Sequence, residues 1–73
     1  MSNWPSVTSK TLIKILIRHG FILDRTKGSH QVFYNQQTGK RVVVPVHTRD
    51  LPKGTMLTIL KEAGLTKDDL KNL

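Results

Sequence analysis

A chain of 73 residues with 37% apolar content suffices for one domain with one modest core, and is too short to enclose a deep cofactor cavity. It has no cysteine, which excludes a disulfide framework and a thiolate metal site. No apolar run approaches the roughly 20 residues of a membrane span, and the N-terminus lacks a signal-peptide core.

The net charge of +7 is unevenly spread. Residues 1–49 carry eight Lys/Arg against the single acid Asp24, whereas residues 50–73 balance four lysines against four acids. One-sided basicity of this kind suits a polyanion such as nucleic acid, and equally suits a solubilising surface.

In chain order, residues 1–7 read as a flexible tail on a single domain spanning 1–73, with Trp4 covering the edge of a small core. Thr8 or Ser9 is the N-cap of a first helix that ends near Arg18 or His19. Leu12, Ile13, Leu16 and Ile17 form its apolar stripe. Lys10, Lys14 and Arg18 recur every four residues as a basic ridge beside it. Gly20 fits the position just past the helix, with Phe21 folding back on the last turn. His19, in that last turn, complements the helix dipole and needs no further role.

Phe21–Arg25 reads as a first strand and His30–Asn35 as a second, joined by a tight connection within Arg25-Thr26-Lys27-Gly28-Ser29-His30. Gln36-Gln37-Thr38-Gly39 is turn chemistry, and Lys40–Val46 is a valine-rich third strand stopped by Pro45. On the second strand His30, Val32 and Tyr34 share one face, and Gln31 and Phe33 the other. Both faces carry apolar residues, so periodicity leaves open which is covered, and a bulge near His30 would reset it. After a loop over His47–Gly54, Thr55 is expected to cap a second helix with the stripe Met56, Leu57, Ile59, Leu60 and Ala63, ended by Gly64. Thr66–Asp69 resembles a capping box that starts a last short turn or helix reaching Leu70 and Leu73. The fold class is therefore α+β: helix, three-stranded antiparallel sheet, helix, with both helices on one face.

A hairpin needs only its glycine. Arg25, Lys27 and His30 are surplus to folding, and they are the strongest functional signal in the chain. Three familiar site types are absent from the pattern. The histidines at 19, 30 and 47 lack metal-motif spacing, so no metal is expected. The isolated glycines make no phosphate-cradling loop, and the acids form no inward-facing pair. No cofactor is expected.

A histidine on a basic face does suit RNA. Attack by the 2′-OH on the adjacent phosphodiester needs a base, charge stabilisation and an acid for the 5′-oxygen. Imidazole serves as base or acid near neutrality, and Arg25 and Lys27 offset the developing charge. The nucleophile comes from the substrate, so neither metal nor protein nucleophile is required. Residues alone favour simple binding over catalysis, since a single histidine on a basic surface is common.

The run Gly20-Phe21 followed by Arg25-Thr26-Lys27-Gly28-Ser29-His30 resembles a GF and R-x-x-GSH pattern. Val44-Pro45-Val46-His47 is similar to a VPxH segment, and Gly54-Thr55-Met56-Leu57 with Ile59 to Leu65 to a GTL…IL-[KR]-x-AG[LI] segment. Together, from Thr8 to Leu70, they resemble the HicA-like (YcfA-like) toxin family of mRNA interferases. That resemblance implies a fold like a double-stranded-RNA-binding domain. It also implies a ribosome-independent and metal-independent endoribonuclease that cleaves mRNA within a type II toxin–antitoxin system, and the lack of cysteine fits the expected cytoplasmic location.

It implies further that His30, in the GSH motif, is the catalytic acid or base, and that a HicB-type antitoxin covers the site. Arg25, Lys27, Gly28, Ser29, Lys10 and Lys14 are the expected RNA contacts. His47 is the candidate second acid or base, its structural alternative being a strand-end histidine bonded to the loop. The chain is expected to be a monomer when free and a hetero-oligomer with its antitoxin. The alternative is a non-catalytic RNA-binding module in which His30 only hydrogen-bonds RNA. A DNA-binding regulator is disfavoured because no helix pair has the short turn of a helix-turn-helix.

Overall fold

A computed structural model of the protein describes residues 6–46 and 49–71. Trp4, His47 and Leu73 fall outside the described residues. The order is α1 (Ser9–Arg18), β1 (Ile22–Lys27), β2 (His30–Tyr34), β3 (Arg41–Pro45), α2 (Lys53–Ala63) and a short α3 (Lys67–Lys71). The strands form one antiparallel sheet in the order β1-β2-β3, which is the α+β arrangement expected.

Thr8 is the N-cap of α1, its hydroxyl oxygen accepting the Thr11 N–H at 3.2 Å. Ser9 is instead the first helical residue, fully buried, and its Oγ donates to the Pro45 carbonyl at 2.7 Å. That bond orients the roll of α1. The helix buries Ser9, Leu12, Ile15 and Leu16, keeps Ile13 partly covered and leaves Ile17 56% exposed. The expected stripe is therefore corrected at one position, Ile15 replacing Ile17. With apolar residues at 12, 13, 15, 16 and 17, more than one roll is chemically acceptable, and the sheet selects among them. Val7, assigned to the tail by sequence, is in the core, and its carbonyl accepts the Leu51 N–H at 2.8 Å.

Gly20, at φ 95°, turns the chain out of α1, and Phe21 N–H donates back to the Leu16 carbonyl at 3.0 Å while its ring is buried. A Cβ on Gly20 would stand 3.4 Å from the Asn35 amide nitrogen. Asn35 is itself buried. Its Nδ2 donates to the His19 carbonyl at 3.0 Å, and its Oδ1 accepts the Gln37 and Thr38 N–H groups. One amide thus fastens the end of α1 to the β2–β3 turn, with all of its bonds internal.

The second helix departs from expectation at its start. It begins after Pro52, with Met56 N–H donating to the Pro52 carbonyl at 3.0 Å, so Thr55 lies inside the first turn and caps nothing. The cause is Leu51, which is buried and held by Val7, so the chain enters the helix directly after it. Of the expected stripe, Met56, Ile59, Leu60 and Ala63 are buried and Leu57 is half-buried. Thr66 does begin α3, with Asp69 Oδ2 accepting the Thr66 N–H at 2.7 Å, and Leu70 packs into the core.

Candidate nucleic-acid interface

The hairpin loop is shorter than the sequence suggests. The β1–β2 ladder runs on to the pair Lys27–His30, leaving only Gly28-Ser29 as the connection. Gly28 has φ 59°, and no non-glycine residue described has positive φ, which is the pattern of a type II′ hairpin turn. Arg25, Thr26 and Lys27 are therefore strand residues. The Ser29 carbonyl accepts the Val46 N–H at 2.6 Å, tying the turn to the end of β3.

Residues directly opposed across an antiparallel ladder share a face, and faces alternate along each strand. Phe33, Val42 and Val44 are buried under the helices, which lie chiefly over β3. The opposite face is open, and the register orders it in three rows. Lys27, His30 and Pro45 form the first row, Arg25, Val32 and Val43 the second, and Ile22, Tyr34 and Arg41 the third. Rows are two residues apart, about 7 Å. His30 thus stands on the middle strand of an uncovered face, with Lys27 directly opposite and Arg25 one row away.

A bulge makes this possible. The register of β1 shifts between Leu23 and Arg25, with Asp24 as the extra residue. Strict alternation from Ile22 would put Arg25 and Lys27 under the helices; one inserted residue puts both on the His30 face. The bulge lies on the first strand, away from His30, near which the sequence allows for one.

Asp24 also contacts cations. Its Oδ2 accepts a hydrogen bond from Arg41 and lies 3.6 Å from the Arg25 Nε. The Arg41 bond, more than anything else, holds the Asp24 carboxyl below its ordinary range. The Arg41 guanidinium sits 4.7 Å from the centroid of the Tyr34 ring. Sequence reasoning passes over Asp24 and Arg41. The available signals are a lone arginine beginning a valine strand and a tyrosine already placed on the His30 face.

The other expected contacts are not all gathered here. Lys10 and Lys14 are exposed on α1, which packs on the covered side of the sheet, so neither shares the open face. The Ser9–Pro45 bond sets the start of α1, and with it Lys10, at the His30 end of the sheet. His19 lies away from the site, its Nε2 3.5 Å from Asp69 Oδ1.

Such a molecule is a small α+β protein with one helical layer and one open, basic sheet face bearing a histidine. Comparison with protein families matches residues 9–65 to the family described as HicA toxin of bacterial toxin-antitoxin systems. The chain belongs to that family, and is accordingly the toxin of a toxin–antitoxin pair, whose counterpart is a cognate antitoxin. A comparison with curated proteins finds no match. Among the described residues, no helix is long and apolar enough to cross a membrane.

Proposed function

We propose that the protein is a cytoplasmic endoribonuclease that cleaves mRNA without a metal or the ribosome, with His30 as its acid–base group. The observation that carries this reading is His30 on the middle strand of the open face, opposed by Lys27 and one row from Arg25. Family membership supports it. In the reaction, imidazole accepts the proton of a ribose 2′-OH as its oxygen bonds to the adjacent phosphorus. The P–O5′ bond breaks, and the 5′-oxygen takes a proton from the imidazolium or from a second acid, for which His47 is the candidate. The products are a 2′,3′-cyclic phosphate and a 5′-hydroxyl. Lys27 and Arg25 stabilise the charge that builds on the phosphoryl oxygens. Gly28 and Ser29 contribute the turn that brings backbone close to the strand, and Lys10 and Lys14 extend the basic path for longer RNA. The HicB-type antitoxin is the partner that would cover this face.

The test is His30→Ala, assayed on an mRNA fragment in EDTA. Cleavage should fall by about 10²- to 10⁴-fold, the usual worth of general acid–base catalysis. RNA affinity should change far less, because the cations that supply the electrostatic part of binding remain. His30 is exposed, so the variant should fold. Retained cleavage with lost affinity would make His30 a binding residue and the protein an RNA-binding module.

A further inference from the structure

We propose that Arg41, stacked on Tyr34 and locked by Asp24, is a platform for an unpaired base of the RNA, at a nucleotide neighbouring the bond that is cut. The inference rests on the RNA-cleaving reading above and assigns it a second subsite. Tyr34 lies four residues along β2 from His30 on the same face, about 13 Å away.

The three side chains come from three strands. Asp24 of β1 reaches across β2 to bond Arg41 of β3, and the Tyr34 ring lies between them under the guanidinium. The ring is half-buried, while half of the Arg41 side chain remains open to solvent. The guanidinium thus lies over the ring and keeps part of its surface open to solvent. Bases stack readily on such planes.

Charge argues the same way. A lysine such as Lys27 serves phosphate as a point charge. Arg41 already bonds the Asp24 carboxylate and lies over the Tyr34 ring. What it offers beyond charge is a preorganised flat surface and its remaining N–H donors. The neighbouring residues are apolar and exposed: Ile22, on the far side of Tyr34 in the same row, at 54% and Val43 in the next row at 45%. A face that bound only phosphates would gain nothing from them, whereas base and ribose edges have apolar surface to cover.

The experiment uses the full chain carrying His30→Ala, so that RNA is held and not cut, with and without Arg41→Lys. Lysine keeps the charge and removes the plane. Affinity for a short single-stranded RNA should drop by about 5- to 150-fold, the equivalent of one base–platform contact. The salt dependence should stay unchanged, as should the thermal melt. Scanning an abasic site along the RNA should find one position that weakens the parent and leaves the Arg41→Lys variant unaffected. Equal affinity of the two proteins, or a loss accompanied by a shallower salt slope, overturns the platform and leaves the nuclease reading standing. Failure of the parent to bind RNA overturns both. Retained RNA binding with selective loss of antitoxin binding would reassign the row to protein contact.

Discussion

His30 and Lys27 close the ladder of a hairpin whose entire loop is Gly28-Ser29, so the position of the imidazole depends on one backbone angle. At φ 59° Gly28 occupies a region that costs an L-residue roughly 1–2 kcal/mol. A Cβ there would meet nothing within 4 Å, so the strain is conformational and not steric. Gly28→Ala should lower stability by about 1 kcal/mol, which corresponds to a fall in Tm of roughly 4–8 °C for a domain of this size. A melt of the variant beside the parent checks this, and identical melting of Gly28→Ala and parent would remove the strain argument.

Among the elements, α3 is the shortest helix and leans on its start for definition. Asp69 accepts from both the backbone N–H and the hydroxyl of Thr66, and stands 3.5 Å from the His19 imidazole at the end of α1. The Thr66 backbone bond is the main reason that the Asp69 carboxyl lies below its ordinary value of 3.8. A carboxyl with a lowered pKa in the folded state contributes stability that is complete above its unfolded value. That stability is lost as pH falls through the folded value. Asp69→Ala should therefore melt a few degrees below the parent at neutral pH. The gap should narrow as pH drops below about 4 and close in stronger acid. Melts of the two proteins from pH 7 down to acid test the sign. A gap that widens in acid would contradict it.

At the scale of the molecule, one layer of helices covers one side of a three-stranded sheet, and the basic excess of residues 1–49 is divided between two surfaces. Lys27 and Arg25 are on the open face with His30, whereas Lys14 is on α1 behind the sheet. A short RNA seated on the open face should meet the first pair and not the second. Lys27→Ala should make the salt dependence of its binding shallower by roughly 0.7 in log–log slope, the loss of one phosphate contact on a single strand. Lys14→Ala should leave that slope unchanged for a short RNA and reduce it for a long one. Titrations at several salt concentrations with RNAs of two lengths read both. An equal effect of Lys14→Ala on the short RNA would place the two lysines on one binding path.

What the amino-acid sequence determined by itself is what depends on near neighbours. Thr8 caps α1, Gly20 and Gly64 end helices, Gly28 makes the hairpin and Asp69 completes the Thr66 box, each through contacts a few residues apart. The grouping of Arg25, Lys27 and His30 was legible for the same reason, being contiguous in the chain. Tertiary structure decided which surfaces these residues occupy. The Asp24 bulge turned Arg25 and Lys27 onto the His30 face, the Ser9–Pro45 bond rolled α1 so that Ile15 and not Ile17 is buried, and Leu51 advanced the start of α2 past Thr55. The Asp24–Tyr34–Arg41 cluster exists only once three strands lie side by side. Rows join ladder partners as much as 15 residues apart and the Ser9–Pro45 bond spans 36, and alternation along a strand shows that two faces exist without showing which one the helices will cover.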